Sequence, residues 1–128
     1  MTTNEEAQLS SLLLAQIERH WPIDRVVRLQ RIKSGLVNLT FKATIKDGQQ
    51  YVLRLYHPEI ALARIRQEHA LLEHLEKVGF PLSPRLIAPK APPTWKPVAL
   101  HAPPLRHMAL MTHLPGEDRY TWDTPPQS

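Results

Sequence analysis

Apolar positions along the chain change their spacing in a fixed order. Leu9, Leu12, Leu13, Gln16, Ile17 and His20 recur at helical intervals, and Pro22 blocks continuation. Thr3-x-x-Glu6 ahead of them reads as a capping box. The spacing predicts a helix over about Asn4–His20 with Leu9, Leu13 and Ile17 as its buried stripe. Val26, Val27 and Leu29 suggest a short strand before Lys33-Ser34-Gly35. Val37, Leu39, Phe41, Ala43 and Ile45 then alternate strictly with polar residues, the period of a half-buried strand. Asp47-Gly48 is a hairpin signal, and Tyr51–Tyr56 makes the return strand up to His57-Pro58.

A two-residue turn at Asp47-Gly48 would set Ala43 against Val52 and Phe41 against Arg54. Directly opposed residues share a face. Phe41, Ala43, Ile45, Val52 and Arg54 are therefore expected on one side of the ribbon, a cation among apolar groups. The following stretch, Glu59–Val78, reads as a long helix closed by Gly79. Its apolar stripe of Ala61, Ile65, Leu72 and Leu75 contains Glu68. An acid in such a stripe is costly unless paired, and Arg54 on the preceding strand is the nearest unexplained cation.

Eight of the thirteen prolines fall between Pro81 and Pro104, which predicts a loop-rich region with short extended pieces near Arg85–Ala88 and Pro97–Leu100. His107–Leu114 reads as a last strand, stopped by Pro115-Gly116. The segment from Glu117 to Ser128 is polar and reads as a connector. The expected division is a domain over 1–117 and a poorly ordered connector over 118–128. The fold class is α+β: a twisted antiparallel sheet of about five strands with an N-terminal helix and one long helix packed on it.

Composition narrows the chemistry. With 128 residues the chain has room for one core, and 42% hydrophobic content is too apolar for a disordered chain. The absence of cysteine excludes disulfides, zinc–thiolate sites, iron–sulfur clusters and thiol nucleophiles. The acidic start and the lack of a long apolar run exclude a signal peptide and a membrane span, so a cytoplasmic location is expected. Sixteen Lys and Arg against twelve Asp and Glu give a net charge of +4, spread along the chain. With only eight aromatic residues, that spread fits a solvated surface better than a nucleic-acid interface. Seven histidines offer no His-Glu-x-x-His spacing, and no Gly-x-Ser-x-Gly marks a serine nucleophile.

The order of elements, with Ser34–Phe41, Tyr51–Tyr56, Glu68 within Arg66–Leu72, Gly79–Leu82 and Met111–Glu117, resembles the N-terminal lobe of the aminoglycoside phosphotransferase / choline kinase-like family, which has a protein-kinase-like fold. The resemblance implies an ATP-binding half of a small-molecule kinase. It implies that Ser34, Gly35, Leu36, Val37 and Asn38 cover the nucleotide phosphates. Arg54 matches the position of a basic residue, commonly Lys, that meets the α- and β-phosphates, and Glu68 the helix acid that orients it. Arg in place of Lys is a departure, because a guanidinium binds phosphate bidentately while an ammonium acts as a compact charge. The resemblance further implies that Phe41 and Val52 roof the adenine with Met111 beside it, while the Thr112 carbonyl and Leu114 amide bond its edge. As plain chemistry, the Ser34–Asn38 turn also serves as an ordinary turn, the Arg54/Glu68 pair as a structural salt bridge, and the apolar residues as core.

Phosphoryl transfer also needs metal-binding carboxylates and an acid near the acceptor hydroxyl. In the resembled family these lie in a C-terminal lobe, in a His-Gly-Asp-x-x-x-x-Asn-like loop and a later Asp, and neither occurs in these 128 residues. The expectation is a lobe that holds ATP, with Mg²⁺ only if a C-terminal lobe is supplied, and that does not turn over alone. The expected partners are a nucleotide and either that lobe or a second copy meeting the face of Phe41, Val52 and Met111, exposed without it. The alternative is a non-catalytic interaction module that keeps the lobe fold.

Overall fold

The computed structural model describes residues 3–32, 38–99 and 106–114, with the first four of these described by backbone alone. In chain order the elements are α1 (Thr3–His20), β1 (Val26–Ile32), β2 (Leu39–Ile45), β3 (Gln50–Leu55), α2 (Leu62–Lys77), β4 (Lys96–Val98) and β5 (Arg106–Thr112). The strands form one five-stranded antiparallel sheet in the order β1-β2-β3-β5-β4. The capping-box side chains of Thr3 and Glu6, the Ser34–Val37 turn and the connector after Leu114 lie outside the described residues.

Helix α1 covers one face of the sheet. Leu13 and Ile17 are buried against Phe41, Ala43, Ile45, Leu53, Leu55, Met108 and Leu110, with Leu9 partly covered. Trp21, just past the helix, is buried in the same cluster, and its indole N–H donates to the Ile87 carbonyl at 3.0 Å. That bond satisfies the one polar atom of a large apolar ring. Helix α2 belongs to the opposite face, where Ile65 and Leu72 cluster with Val52, Tyr56, Ala109 and Met111. Strand β5 is therefore buried on both sides from Met108 to Met111, which explains its unbroken apolar run.

The β2–β3 register differs by one residue from the sequence expectation. Phe41 stands opposite Leu53, Thr40 opposite Arg54 and Lys42 opposite Val52. The connection is a three-residue loop, not a two-residue turn. Ile45 N–H donates to the Gln49 carbonyl at 2.9 Å, Gly48 N–H donates to the Ile45 carbonyl at 2.9 Å, and Gly48 has φ +95°. A type I turn followed by a left-handed glycine has this form. Asp47 accepts from the Gln49 amide at 2.8 Å, which places Asp-Gly one position later in the loop than a type I′ turn would. The consequence is large, because a one-residue slip exchanges the faces of a strand. Phe41, Ala43 and Ile45 lie on the α1 side, and Val52 and Arg54 on the α2 side.

The smaller differences have local causes. Strand β1 extends to Ile32, with a bulge that leaves Val27 unpaired and exposed. Helix α2 begins at Leu62 because His57–Ile60 closes a turn of its own: Ile60 N–H donates to the His57 carbonyl, and the Glu59 amide to the His57 ring. Ala61 is thus exposed rather than part of the stripe, and His69 takes a buried place. At the other end Phe80 N–H donates to the Leu75 carbonyl and Gly79 N–H to that of Glu76, with Gly79 at φ +77°. This is a Schellman cap, as Gly79 predicts. The proline-rich segment runs along the free edge of β5: Leu86 bridges Met111, and Lys96–Val98 pairs with Arg106–Met108.

Candidate functional site

The site lies where the end of β3 meets α2. Val52 and Arg54 on β3 and, by the same two-residue period, Tyr56 just past its end point to the α2 side. On α2, Ile65, Glu68, His69 and Leu72 fall at i, i+3, i+4 and i+7, one stripe aimed at the sheet. The two periods bring Arg54 and Glu68 together although 14 residues separate them: Arg54 Nη1 lies 2.6 Å from Glu68 Oε1.

The pair is half-buried rather than buried, with side chains 26% and 37% exposed. Its contact is through one nitrogen and one oxygen. The same Glu68 Oε1 accepts the phenolic proton of Tyr56 at 2.6 Å. The Tyr56 oxygen lies 2.9 Å from His69 Nε2, and His69 Nδ1 lies 2.6 Å from Thr94 Oγ1. Arg54 also stands 5.8 Å from the centre of the Tyr56 ring. A row of polar groups therefore runs from the half-exposed guanidinium into the core and out to the loop before β4.

Burial sets the protonation states in this row. It pushes the Tyr56 phenol well above its ordinary value, helped by the Glu68 carboxylate that accepts its proton. Burial likewise pulls the His69 imidazole below its ordinary value; the nearby Glu68 charge opposes this and the Arg54 charge adds to it. Tyr56 is thus a phenol and His69 a neutral ring near pH 7. Trp95 packs edge-on against His69 with ring centres 5.6 Å apart, and Arg66 stands over Trp95 at 5.8 Å.

A cavity of about 240 Å³ opens beside Glu68. Asn38, Tyr56, Ile60, Arg64, Ile65 and Glu68 line it. Asn38 accepts from the His57 amide through Oδ1 at 3.1 Å, which ties the start of β2 to the β3–α2 turn. Among the described residues no group of three or more His, Asp or Glu side chains is placed to hold a metal ion. Glu68, the acid of the site, is already engaged by Arg54 and Tyr56. The described residues therefore do not fit the Mg²⁺ of phosphoryl transfer.

Of the residues singled out in the sequence, the structure brings Asn38, Val52, Arg54, Glu68 and Met111 to the α2 face. Val52 faces Met111 across β3–β5, and Arg54 faces Ala109. Phe41 does not join them. The register sets it on the α1 side, so Phe41 and Val52 form no common roof. Phe41, Val52 and Met111 are all buried, so they make no open apolar face for a second copy. Thr112 and Leu114 are half-buried at the far end of β5. The Thr112 amide donates to the Arg85 carbonyl, and its hydroxyl accepts from the Arg85 amide. Ser34, Gly35, Leu36 and Val37 lie outside the described residues.

Sequence reasoning missed Tyr56, His69 and Thr94. Two of them carried a signal: Tyr56 is two residues from Arg54, and His69 is four from Ile65, so each shares a face with a residue already chosen. Thr94 carried none, because only the path of the proline-rich segment brings it to His69.

A five-stranded antiparallel sheet whose third strand offers a cation to an acid on the following helix is the arrangement of a kinase-like N-terminal lobe. The model of the phosphotransferase enzyme family matches residues 28–128, and the chain belongs to that family. Its class is thus kinase-like phosphotransferase. No curated protein matches the chain. Among the described residues no helix is long and apolar enough to cross a membrane.

Proposed function

We propose that this chain is the ATP-binding lobe of a small-molecule kinase, which transfers the γ-phosphate of ATP to an alcohol of a small metabolite or an aminoglycoside. The Arg54–Glu68 pair carries this reading. A guanidinium tethered by one nitrogen keeps its other donors for phosphate oxygens, and its planar fork suits them. Glu68 supplies the charge that holds the guanidinium on the α2 face near the end of β3. The residues before β2, Ser34–Asn38, cover the phosphates with backbone amides. The Thr112 carbonyl and the Leu114 amide bond the base edge. Ala109, opposite Arg54, and Thr112 are three strand residues apart, about 10 Å. That span suits a nucleotide laid along β5 with its base toward Leu114.

The residues in hand bind and orient; they do not position an acceptor alcohol. The 128 residues contain no His-Gly-Asp-x-x-x-x-Asn-like loop, so the chain alone holds ATP without turnover. Calorimetry of the full chain with ATP tests this. Binding is expected, with Arg54→Ala weakening it about tenfold or more, the scale of one charge-assisted phosphate contact. Absence of binding, or an Arg54→Ala affinity equal to wild type, overturns it. Addition of a family C-terminal lobe is expected to restore ATP-dependent phosphorylation of a small alcohol.

A further inference from the structure

A half-exposed ion pair between two long side chains holds neither partner still, because the ordering entropy offsets most of the attraction. Arg54 and Glu68 are such a pair, yet Glu68 Oε1 is also bound by a phenol at 2.6 Å. The Tyr56 ring is fixed in the core, only 2% exposed, so its hydroxyl is a rigid anchor for a mobile carboxylate.

We infer that Tyr56 and His69 are positioning residues: through Glu68 they set the orientation of the Arg54 guanidinium, with Thr94 holding the imidazole. The inference rests on the nucleotide reading for its consequence, though the row of contacts stands apart from it.

Proton placement makes the row directional. A phenol has one proton, and that of Tyr56 goes to Glu68. Its oxygen is then an acceptor, so His69 must present Nε2–H to it. The neutral ring carries its lone pair on Nδ1, which accepts from the Thr94 hydroxyl. With the opposite tautomer two lone pairs would meet at Nε2 and the phenol. The Tyr56 proton would turn to the ring, and Glu68 would lose its anchor. The groups facing this row are Glu68 and His69 from α2, Arg54 from β3, Tyr56 just past its end, and Thr94 and Trp95 from the loop before β4. The loop before β4 is thereby linked to the Arg54 guanidinium through four hydrogen bonds.

Tyr56→Phe removes the hydroxyl and keeps the ring. Two measurements on the full chain decide the matter. In nitrogen-15 NMR the wild-type Arg54 guanidinium is expected to give resolved, slowly exchanging Nη signals. Y56F is expected to collapse them to an averaged form, as is Glu68→Gln. In calorimetry Y56F is expected to bind ATP about fivefold more weakly than wild type, with adenosine affinity within twofold. A purely structural tyrosine would alter both ligands together or neither. His69→Gln, which can still offer a donor to the phenol, is expected to retain the Arg54 signals, and His69→Leu to lose them. That pair answers the question should Y56F not fold. Arg54 signals unchanged in Y56F, or in H69L, overturn the inference. If the wild type binds neither ATP nor adenosine, the nucleotide reading falls, and the Arg54 signals still decide whether Tyr56 and His69 position the guanidinium.

Discussion

Phe41 and Val52 lie on opposite faces of the sheet: Phe41 stands across from Leu53 and packs under α1, while Val52 stands across from Lys42 and packs under α2. On the proposed reading only the α2 face takes part in ligand binding. Phe41→Leu leaves a small cavity in the α1 cluster and is expected to lower unfolding free energy by about 1 kcal/mol in urea titration. Its ATP affinity is expected to stay within twofold of wild type. A larger loss of affinity would place Phe41 at the base after all.

The Arg54–Glu68 contact is expected to matter more for binding than for folding. Both side chains are a quarter or more exposed, so solvent screening limits the stability it adds to about 1 kcal/mol or less. Glu68→Gln is expected to shift the urea midpoint slightly while weakening ATP binding at least threefold. Equal losses in both would make the pair a structural tie only.

Gly48 tests the left-handed position of the β2–β3 loop. A Cβ built at this position meets nothing within 4 Å, so any cost of Gly48→Ala comes from the backbone at φ +95°. The expected destabilisation is about 1 kcal/mol, and Gly48→Asn is expected to recover part of it, since Asn visits the left-handed region more readily. A neutral Gly48→Ala would show that this residue does not hold a positive φ, which the loop requires of it.

Acid should destabilise the protein through His69. Its folded pKa lies below its unfolded value because burial disfavours the charged ring. The unfolded chain therefore binds more protons in the window below about pH 6.5, and stability falls as pH drops through that window. Above it the contribution is constant. His20 adds in the same direction, lowered by burial and by Lys96, Arg19 and Lys90. Unfolding titrations at pH 7.5 and 5.5 are expected to differ less for His69→Gln than for wild type; an equal difference would show that His69 is not the group responsible.

Arg106 is buried at the start of β5, with one long hydrogen bond of 3.4 Å to the Tyr56 carbonyl and its Nε unpartnered. Burial pulls its pKa below the ordinary guanidinium value. A buried cation so placed contributes little net stability. Arg106→Met is expected to be neutral or stabilising by about 1 kcal/mol in thermal unfolding. A loss of several kcal/mol would mean that the charge is compensated.

Much of the architecture was legible because short periods write it into the chain. The alternation from Leu39 to Ile45 marks β2, and Leu13 and Ile17 mark the inner face of α1. Gly79 marks the end of α2, because only a residue at ease with positive φ closes that cap. The Arg54/Glu68 pairing was legible too, since Glu68 interrupts the apolar stripe of α2 and a cation on the preceding strand relieves it. The face assignment of Phe41 was not. Asp47-Gly48 suits two loop lengths that differ by one residue, and that one residue decides which side of the sheet a strand presents.

What the sequence by itself determined is therefore the elements, their order and the two opposite charges that had to meet. The packing decided what those charges rest on: Tyr56 and His69 as a buried support, and Thr94 reaching them from a proline-rich segment without periodicity. Periodicity encodes which way a side chain points within its own element. Contacts between elements depend on register and on the path of loops, and those are settled only when both faces of the sheet are filled at once.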